Sequence, residues 1–251
     1  MYFFAIALKN SLLYRKGVFF SFFGSFIFIA VNMMLWRALF KNDHDSYSYM
    51  VRYTIVSNIV STLYSRKIAE FVGKKISTGE FAADIARPVN FFVASWAIEL
   101  ANICSRFMLC GVPVILVFLP FLFSGIYFNI GFFVLSVFMG HVFSILLYSL
   151  IGLGAFILVD VRPFRHLLDD TIRLLGGAFI PIVMLPSPIG EIASVLPFRF
   201  LYSFQLEMLL TPVDMARIAE GYCVLLLWIG LLAIMNISLC GLVFERSAAQ
   251  G

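Results

Sequence analysis

Apolar runs long enough to cross a hydrocarbon core of about 30 Å, which takes roughly 20 helical residues, recur from one end of this chain to the other. Six spans are predicted: Val18 to Leu39, Tyr47 to Ser65, Phe91 to Phe123, Phe128 to Val159, Thr171 to Leu185 and Tyr222 to Val243. The second is unusually polar, and the fifth is short and interrupted by proline. An even number of crossings puts both termini on one side. Ahead of the first span, Met1 to Gly17 has too short an apolar run to cross. Its Lys9 and Lys16 fall on one helical face, the pattern of an interfacial amphipathic helix. A signal peptide would carry a small-residue cleavage site, and none separates this stretch from the first span. Between Pro186 and Pro212 the chain is moderately apolar but broken by Pro186-Ser187-Pro188. Irregular backbone cannot face lipid at depth, so this segment is expected to form short re-entrant helices, shielded by protein or lying at the outer interface. The expectation is an all-α membrane protein with one transmembrane domain over residues 1–251. It has six transmembrane helices, an interfacial helix over 1–17, a polar cytoplasmic segment over 66–88 and re-entrant helices over 186–212 before the last span.

Composition agrees with the pattern. Hydrophobic residues make up 62% of the chain and charged ones 13%, against roughly 45–50% apolar residues in soluble domains. A soluble fold could not hide that much apolar surface. Basic residues are retained on the cytoplasmic side of a membrane protein. With the termini inside, the inner segments hold Lys9, Arg15, Lys16, Arg66, Lys67, Lys74, Lys75, Arg87, Arg162, Arg165, Arg173 and Arg246. The outer segments hold only Arg37, Lys41, Arg52, Arg199 and Arg217, and Arg106 falls inside a span. Both termini are therefore expected in the cytoplasm. The net charge of +4 needs no acidic partner, because inner loops meeting anionic lipid account for it. Cys104, Cys110, Cys223 and Cys240 all fall in predicted spans, without a disulfide framework or metal-ligand spacing, and read as small apolar packing residues.

The polar island from Arg66 to Pro88 carries five of the eighteen Lys and Arg residues. Within it, Ser77-Thr78-Gly79-Glu80 has the S-x-x-E spacing of a capping box, which predicts a short helix starting there. Phe81 and Ile85 would share one face of that helix and Glu80 and Asp84 an adjacent one, with Pro88 ending it after Arg87. A basic amphipathic segment of this kind would ordinarily lie on the inner leaflet. Here the helix proper is acidic until Arg87, and acidic faces bind lipid poorly but fit a protein groove.

Inside the membrane, Ser95, Glu99, Asn102 and Arg106 succeed one another at four, three and four residues, a single polar stripe on the third span. A charge at a helix centre costs roughly 2.5 to 3.5 kcal/mol on insertion scales, so the stripe faces protein or water, either as a buried structural ion pair or as a wall of a translocation pathway. On the second span Thr54, Asn58, Ser61 and Ser65 recur at helical spacing, consistent with a wetted wall or with small-residue packing. Asp43-His44-Asp45 reads as a solvated loop rather than a metal site. The mixed cluster Asp160, Arg162, Arg165, His166, Asp169, Asp170 and Arg173 reads as a supporting contact or a set of internal salt bridges. No serine, histidine and aspartate, and no carboxylate pair, is placed for catalysis, so the chain is not expected to be an enzyme. A G-x-x-x-x-G-K-[ST] phosphate loop is absent, Gly73-Lys74-Lys75 lacking both the first glycine and the hydroxyl residue.

The string Lys75-Ile76-Ser77-Thr78-Gly79-Glu80-Phe81, and after it Ile85-Ala86-Arg87-Pro88-Val89, resembles the I-x-x-G-[DE]-[LF]…L-x-R-P-[VIL] pattern of bacterial ABC-2-type transporter permeases, in the branch often described as viologen-exporter or multidrug-efflux permeases. Leu196-Pro197-Phe198-Arg199-Phe200-Leu201-Tyr202 is similar to the L-P-F segment before the last span of that family. Departures are Ile85-Ala86 where leucines are common, and Gln205 and Thr211 where a proline and a glycine are expected. The resemblance implies a half-size export permease of the bacterial inner membrane. Such a permease pairs with a second copy or a sister permease and binds two ABC ATPase subunits that hold ATP and magnesium. It also implies that Ser77, Glu80, Phe81, Asp84, Ile85 and Arg87 form the coupling helix, and that the cargo is an amphipathic or hydrophobic drug, peptide or lipid. Aromatic residues, 17% of the chain, suit such a cargo but also fill membrane cores. The rival readings are a non-catalytic membrane scaffold, which needs no water-lined interior, and a membrane-embedded enzyme, which needs ionisable groups gathered at one depth across several spans.

Overall fold

The computed structural model describes residues 15–64, 67–80, 91–123, 130–158, 160–212 and 214–249. All its regular elements are helical: α1 (Arg15–Leu39), α2 (His44–Ser61), α3 (Ile68–Ser77), α4 (Phe91–Arg106), α5 (Val112–Phe123), α6 (Ile130–Leu153), α7 (Arg162–Leu175), α8 (Ile189–Val195), α9 (Ser203–Leu210) and α10 (Met215–Ala249). A π turn, Phe107–Gly111, joins α4 to α5, so the expected third span is one helix with a bulge in it. Four helical stretches among the described residues are long and apolar enough to cross a membrane: Phe22–Leu39, Ser95–Leu122, Ile130–Phe156 and Met215–Gly241. Their outward faces are apolar, as with Ile27, Val31 and Met34 on α1 and Leu227, Ile234 and Ile237 on α10, the surface that hydrocarbon wets. This is an all-helical membrane protein.

The two remaining expected spans are built differently. Helix α2 is too polar to count as a span by hydropathy, and it is nearly encased in protein, with Met50, Val51, Tyr53, Thr54, Ile55, Val56, Ser57 and Val60 buried. It begins at Asp43, whose carboxylate accepts from the Ser46 amide at 3.0 Å and the Ser46 hydroxyl at 2.6 Å. Those bonds hold the Asp43 carboxyl below the usual carboxylate range, and the hydroxyl contributes most. Asp43 is thus a helix cap. No group of three His, Cys, Asp or Glu residues that could hold a metal lies among the described residues.

The stretch Thr171 to Leu185 is not one helix. Helix α7 starts nine residues earlier, at Arg162, and stops at Leu175, because the chain turns at Gly176-Gly177, where Gly177 takes φ +83°. The 3-10 turn Ile182–Met184, the exposed α8, the 3-10 turn Pro197–Leu201 and the buried α9 come next. Helix direction explains why such a segment exists. The Tyr222 hydroxyl donates to the Phe132 carbonyl at 2.6 Å, and the Asn236 amide donates to the Leu146 carbonyl at 3.0 Å. The second contact lies fourteen residues further along both helices than the first, so α6 and α10 run parallel. The chain leaving α6 must travel back along its whole length before α10 can begin.

That return path is held by α2. The Tyr53 hydroxyl donates to the Gly177 carbonyl at 2.5 Å and the Ser57 hydroxyl to the Ala178 carbonyl at 2.6 Å. The Gly176 carbonyl accepts from the Ser203 amide at 3.0 Å. A helix end leaves carbonyls unsatisfied, and away from water other groups must supply the donors. The polar character of α2 serves this broken segment. Of the stripe expected there, Ser61 donates to the Asn58 carbonyl in its own helix and Thr54 accepts from the Trp36 indole at 3.0 Å. Asn58 and Ser61 are both half-buried. Cys110 is buried, whereas Cys104 and Cys223 face outward and do not serve as core packing.

Candidate functional site

The polar segment after α2 opens with α3, an amphipathic helix with Ile68, Ala69, Val72 and Gly73 buried. It sits against the far end of α6 and the start of α7 through two glycines. A Cβ at Gly152 of α6 would lie 2.7 Å from the Val72 Cβ and 2.9 Å from the Ala69 carbonyl, and one at Gly73 would lie 2.7 Å from Val161. Only glycine permits this approach, the small-residue packing by which membrane helices come close.

The Ser77-x-x-Glu80 spacing does not make a capping box. Ser77 is the last residue of α3 rather than the first cap of a new helix, and its hydroxyl donates back to the Lys74 carbonyl at 3.0 Å. Thr78 caps the C-terminus and Gly79, at φ +73°, ends the helix in the left-handed region. The Glu80 carboxylate pairs with Lys75 at 3.0 Å instead of reaching the Ser77 amide. Helical backbone resumes at Glu80. The rest of the expected helix, with Phe81, Asp84, Ile85 and Arg87, lies outside the described residues.

Three elements meet beside α3. The Arg165 Nε of α7 lies 2.8 Å from Glu70 Oε1 of α3, an ionic contact rather than an aligned hydrogen bond. Its Nη1 donates to Asp169 Oδ2 at 2.7 Å, and its Nη2 lies 3.1 Å from the His166 ring. The other Asp169 oxygen accepts from the Tyr148 hydroxyl of α6. Asp169 is 7% exposed and Arg165 14%, while Glu70 at 42% opens to solvent. A charge chain thus runs from a surface carboxylate on α3 to a buried tyrosine on α6. A narrow crevice lies next to it, lined by Tyr64, Tyr148, Asp169, Ile172, Arg173, Leu201 and Tyr202. The sequence cluster 160–173 divides here: Arg165 and Asp169 turn inward, while Arg162 pairs with Asp160 at 2.8 Å and Arg173 with Asp170 at 3.7 Å on the exposed side.

The stripe on α4 closes on itself. Glu99, 4% exposed, accepts from Asn102 and from Arg106, each at 3.3 Å, and Arg106 also donates to the Tyr64 carbonyl at 3.1 Å, where α2 has just ended. Ser95, on the same stripe, is buried as well. The arrangement is an ion pair, its carboxylate shielded and its guanidinium tying α4 to the end of α2. The π turn begins at the next residue. His141 of α6, which no sequence motif marks, stands close by and takes the Trp96 indole N–H at 3.4 Å.

Gln205 stands out in the sequence only as a departure from a family pattern, yet it organises the middle of the bundle. Fully buried, it accepts from the Tyr64 hydroxyl at 2.5 Å and donates to the Ser136 and Phe200 carbonyls at 3.1 and 2.8 Å. A Cβ at Gly140 would collide with its amide nitrogen, so that glycine makes its room. Comparison with protein-family models and with curated proteins returns no match for this sequence.

Proposed function

We propose that the chain is the permease subunit of an ATP-driven exporter of the ABC-2 type. Its six crossings are α1, α2, α4 with α5, α6, the broken return segment of α7 to α9, and α10. Two such subunits, or one and a sister permease, work in the bacterial inner membrane with two separate ABC ATPase chains that bind ATP and magnesium. The observation that carries this reading is the seating of α3. It is packed through Gly152 on the end of a membrane-spanning helix and through Gly73 on Val161 at the start of α7, it is ion-paired to α7, and it leads directly into the acidic segment that the sequence marks as a partner surface. A load on Glu80 to Arg87 would pass through α3 into α6 and α7 at once, which alternating access requires of a coupling segment. The excess of basic residues on the α3 side supports a cytoplasmic position for it. The cargo fitting the apolar bundle is amphipathic or hydrophobic.

The test is charge reversal on the acidic face. Glu80→Lys with Asp84→Lys should abolish cargo-stimulated ATP hydrolysis by the assembled transporter while the permease stays inserted in the membrane. Undiminished stimulation in that double variant would overturn the reading.

A further inference from the structure

We infer that Arg165 is the positioning residue that transmits movement of α3 to the centre of the membrane domain, with α7 as its lever. The inference rests on the permease reading above and adds the route of the stroke. Among the described residues, Arg165 is the basic residue of α7 within ion-pair distance of a carboxylate on a different helix, while Arg162 and Arg173 pair with Asp160 and Asp170 close by in sequence. Its guanidinium is held on the opposite side by Asp169, itself fixed by Tyr148. A displacement of Glu70 therefore pulls on a group anchored inside α7 rather than on a loose side chain. Over its 14 residues α7 is about 21 Å long and rigid. Its far end is the Gly176-Gly177 turn, where Gly177 takes φ +83°. The carbonyls there are held by Tyr53 and Ser57 in the middle of α2 and by Ser203 of α9. The link from α3 to α6 is close packing around Gly152, which passes on a push but not a pull. The ionic link bears tension, and its end point is the break in the return segment.

The experiment tracks α7 directly. The full chain is purified from native membranes with the ATPase subunits it carries, its cysteines are replaced by serine, and it is spin-labelled at Asp170→Cys on α7 and Leu227→Cys on α10. The distance between the labels is measured without nucleotide and with ATP and vanadate. The protein with Glu70 unaltered should show a nucleotide-dependent shift. In Glu70→Gln, which leaves the buried Arg165–Asp169 pair intact, the shifted population should fall about tenfold, the scale of a typical coupling energy. Glu70→Asp should retain most of the shift, because the charge remains. A full response in Glu70→Gln, with the ATPase still bound, overturns the route through Arg165 and leaves the permease reading standing. If the parent protein carries no ATPase or shows no shift, the permease reading itself fails, and this inference with it.

Discussion

Two ionic centres of this protein are built from similar residue types and differ in what they join. Glu99, Asn102 and Arg106 lie on one helix, where Glu99 accepts from the other two, and Arg106 also donates to the Tyr64 carbonyl. Glu70, Arg165, Asp169 and Tyr148 come from α3, α7 and α6. The first arrangement steadies a single span and its junction with α2. The second joins three helices, α3 to α7 through the Arg165 guanidinium and α7 to α6 through the Asp169 carboxylate. A charged cluster deep in a membrane protein is thus better judged by how many elements it binds together than by how unusual its charges are.

The comparison breaks or holds most sharply on removal of one carboxylate from each centre. Asp169→Ala leaves Arg165 with the partly exposed Glu70 as its carboxylate and with the His166 ring, and removes an acceptor of the buried Tyr148 hydroxyl. Breaking a buried pair in this way costs about 3–5 kcal/mol. Glu99→Ala leaves Arg106, whose side chain is 32% exposed, able to reach water and still bonded to the Tyr64 carbonyl. Its cost should be about 1–3 kcal/mol, that of a lost buried partner. Thermal unfolding of the two purified variants in the same detergent should rank them in that order. Equal losses would mean that the Glu99 centre joins helices as the Asp169 centre does.

The difference also explains what the sequence could show. The α4 stripe was legible because i, i+3 and i+4 neighbours meet by helix geometry alone, and the apolar runs marked the four long helices for the same reason. Arg165 could not be matched to Glu70, ninety-five residues earlier, by any local spacing. Ser77 misled because serine before glutamate fits a helix start, while Gly79 two residues on, a stop signal at C′, decides the matter in favour of an end. The α2 stripe pointed at Asn58 and Ser61, but the working donors are Tyr53 and Ser57, whose acceptors lie 124 and 121 residues away. Tyr53→Phe removes one of them and leaves the Gly177 carbonyl to its neighbours. It should cost about 1 kcal/mol, because hydrogen bonds between membrane helices are worth about 0.6–2 kcal/mol. Hydrogen exchange at residues 176–178 is the finer measurement, and faster exchange confined to that turn would tie the loss to the break rather than to the bundle.

The smallest effect is expected at an exposed ionic pair, Asp160 with Arg162, which is as local in sequence as the α4 stripe. The Arg162 side chain holds the Asp160 carboxyl below the usual carboxylate range, with the Arg162 amide adding to it. The sign of the pH dependence comes from that depression. The pair contributes above the ordinary aspartate value of about 3.9, and the contribution disappears as pH falls through the lower folded value. Solvent screens an exposed pair, so between about pH 5 and pH 8, where the contribution is fully present, Asp160→Asn should change the melting temperature little and by the same amount throughout. A large loss in that window would show that the start of α7 bears load through Asp160 as well, and would move weight from the three-helix centre to a local one.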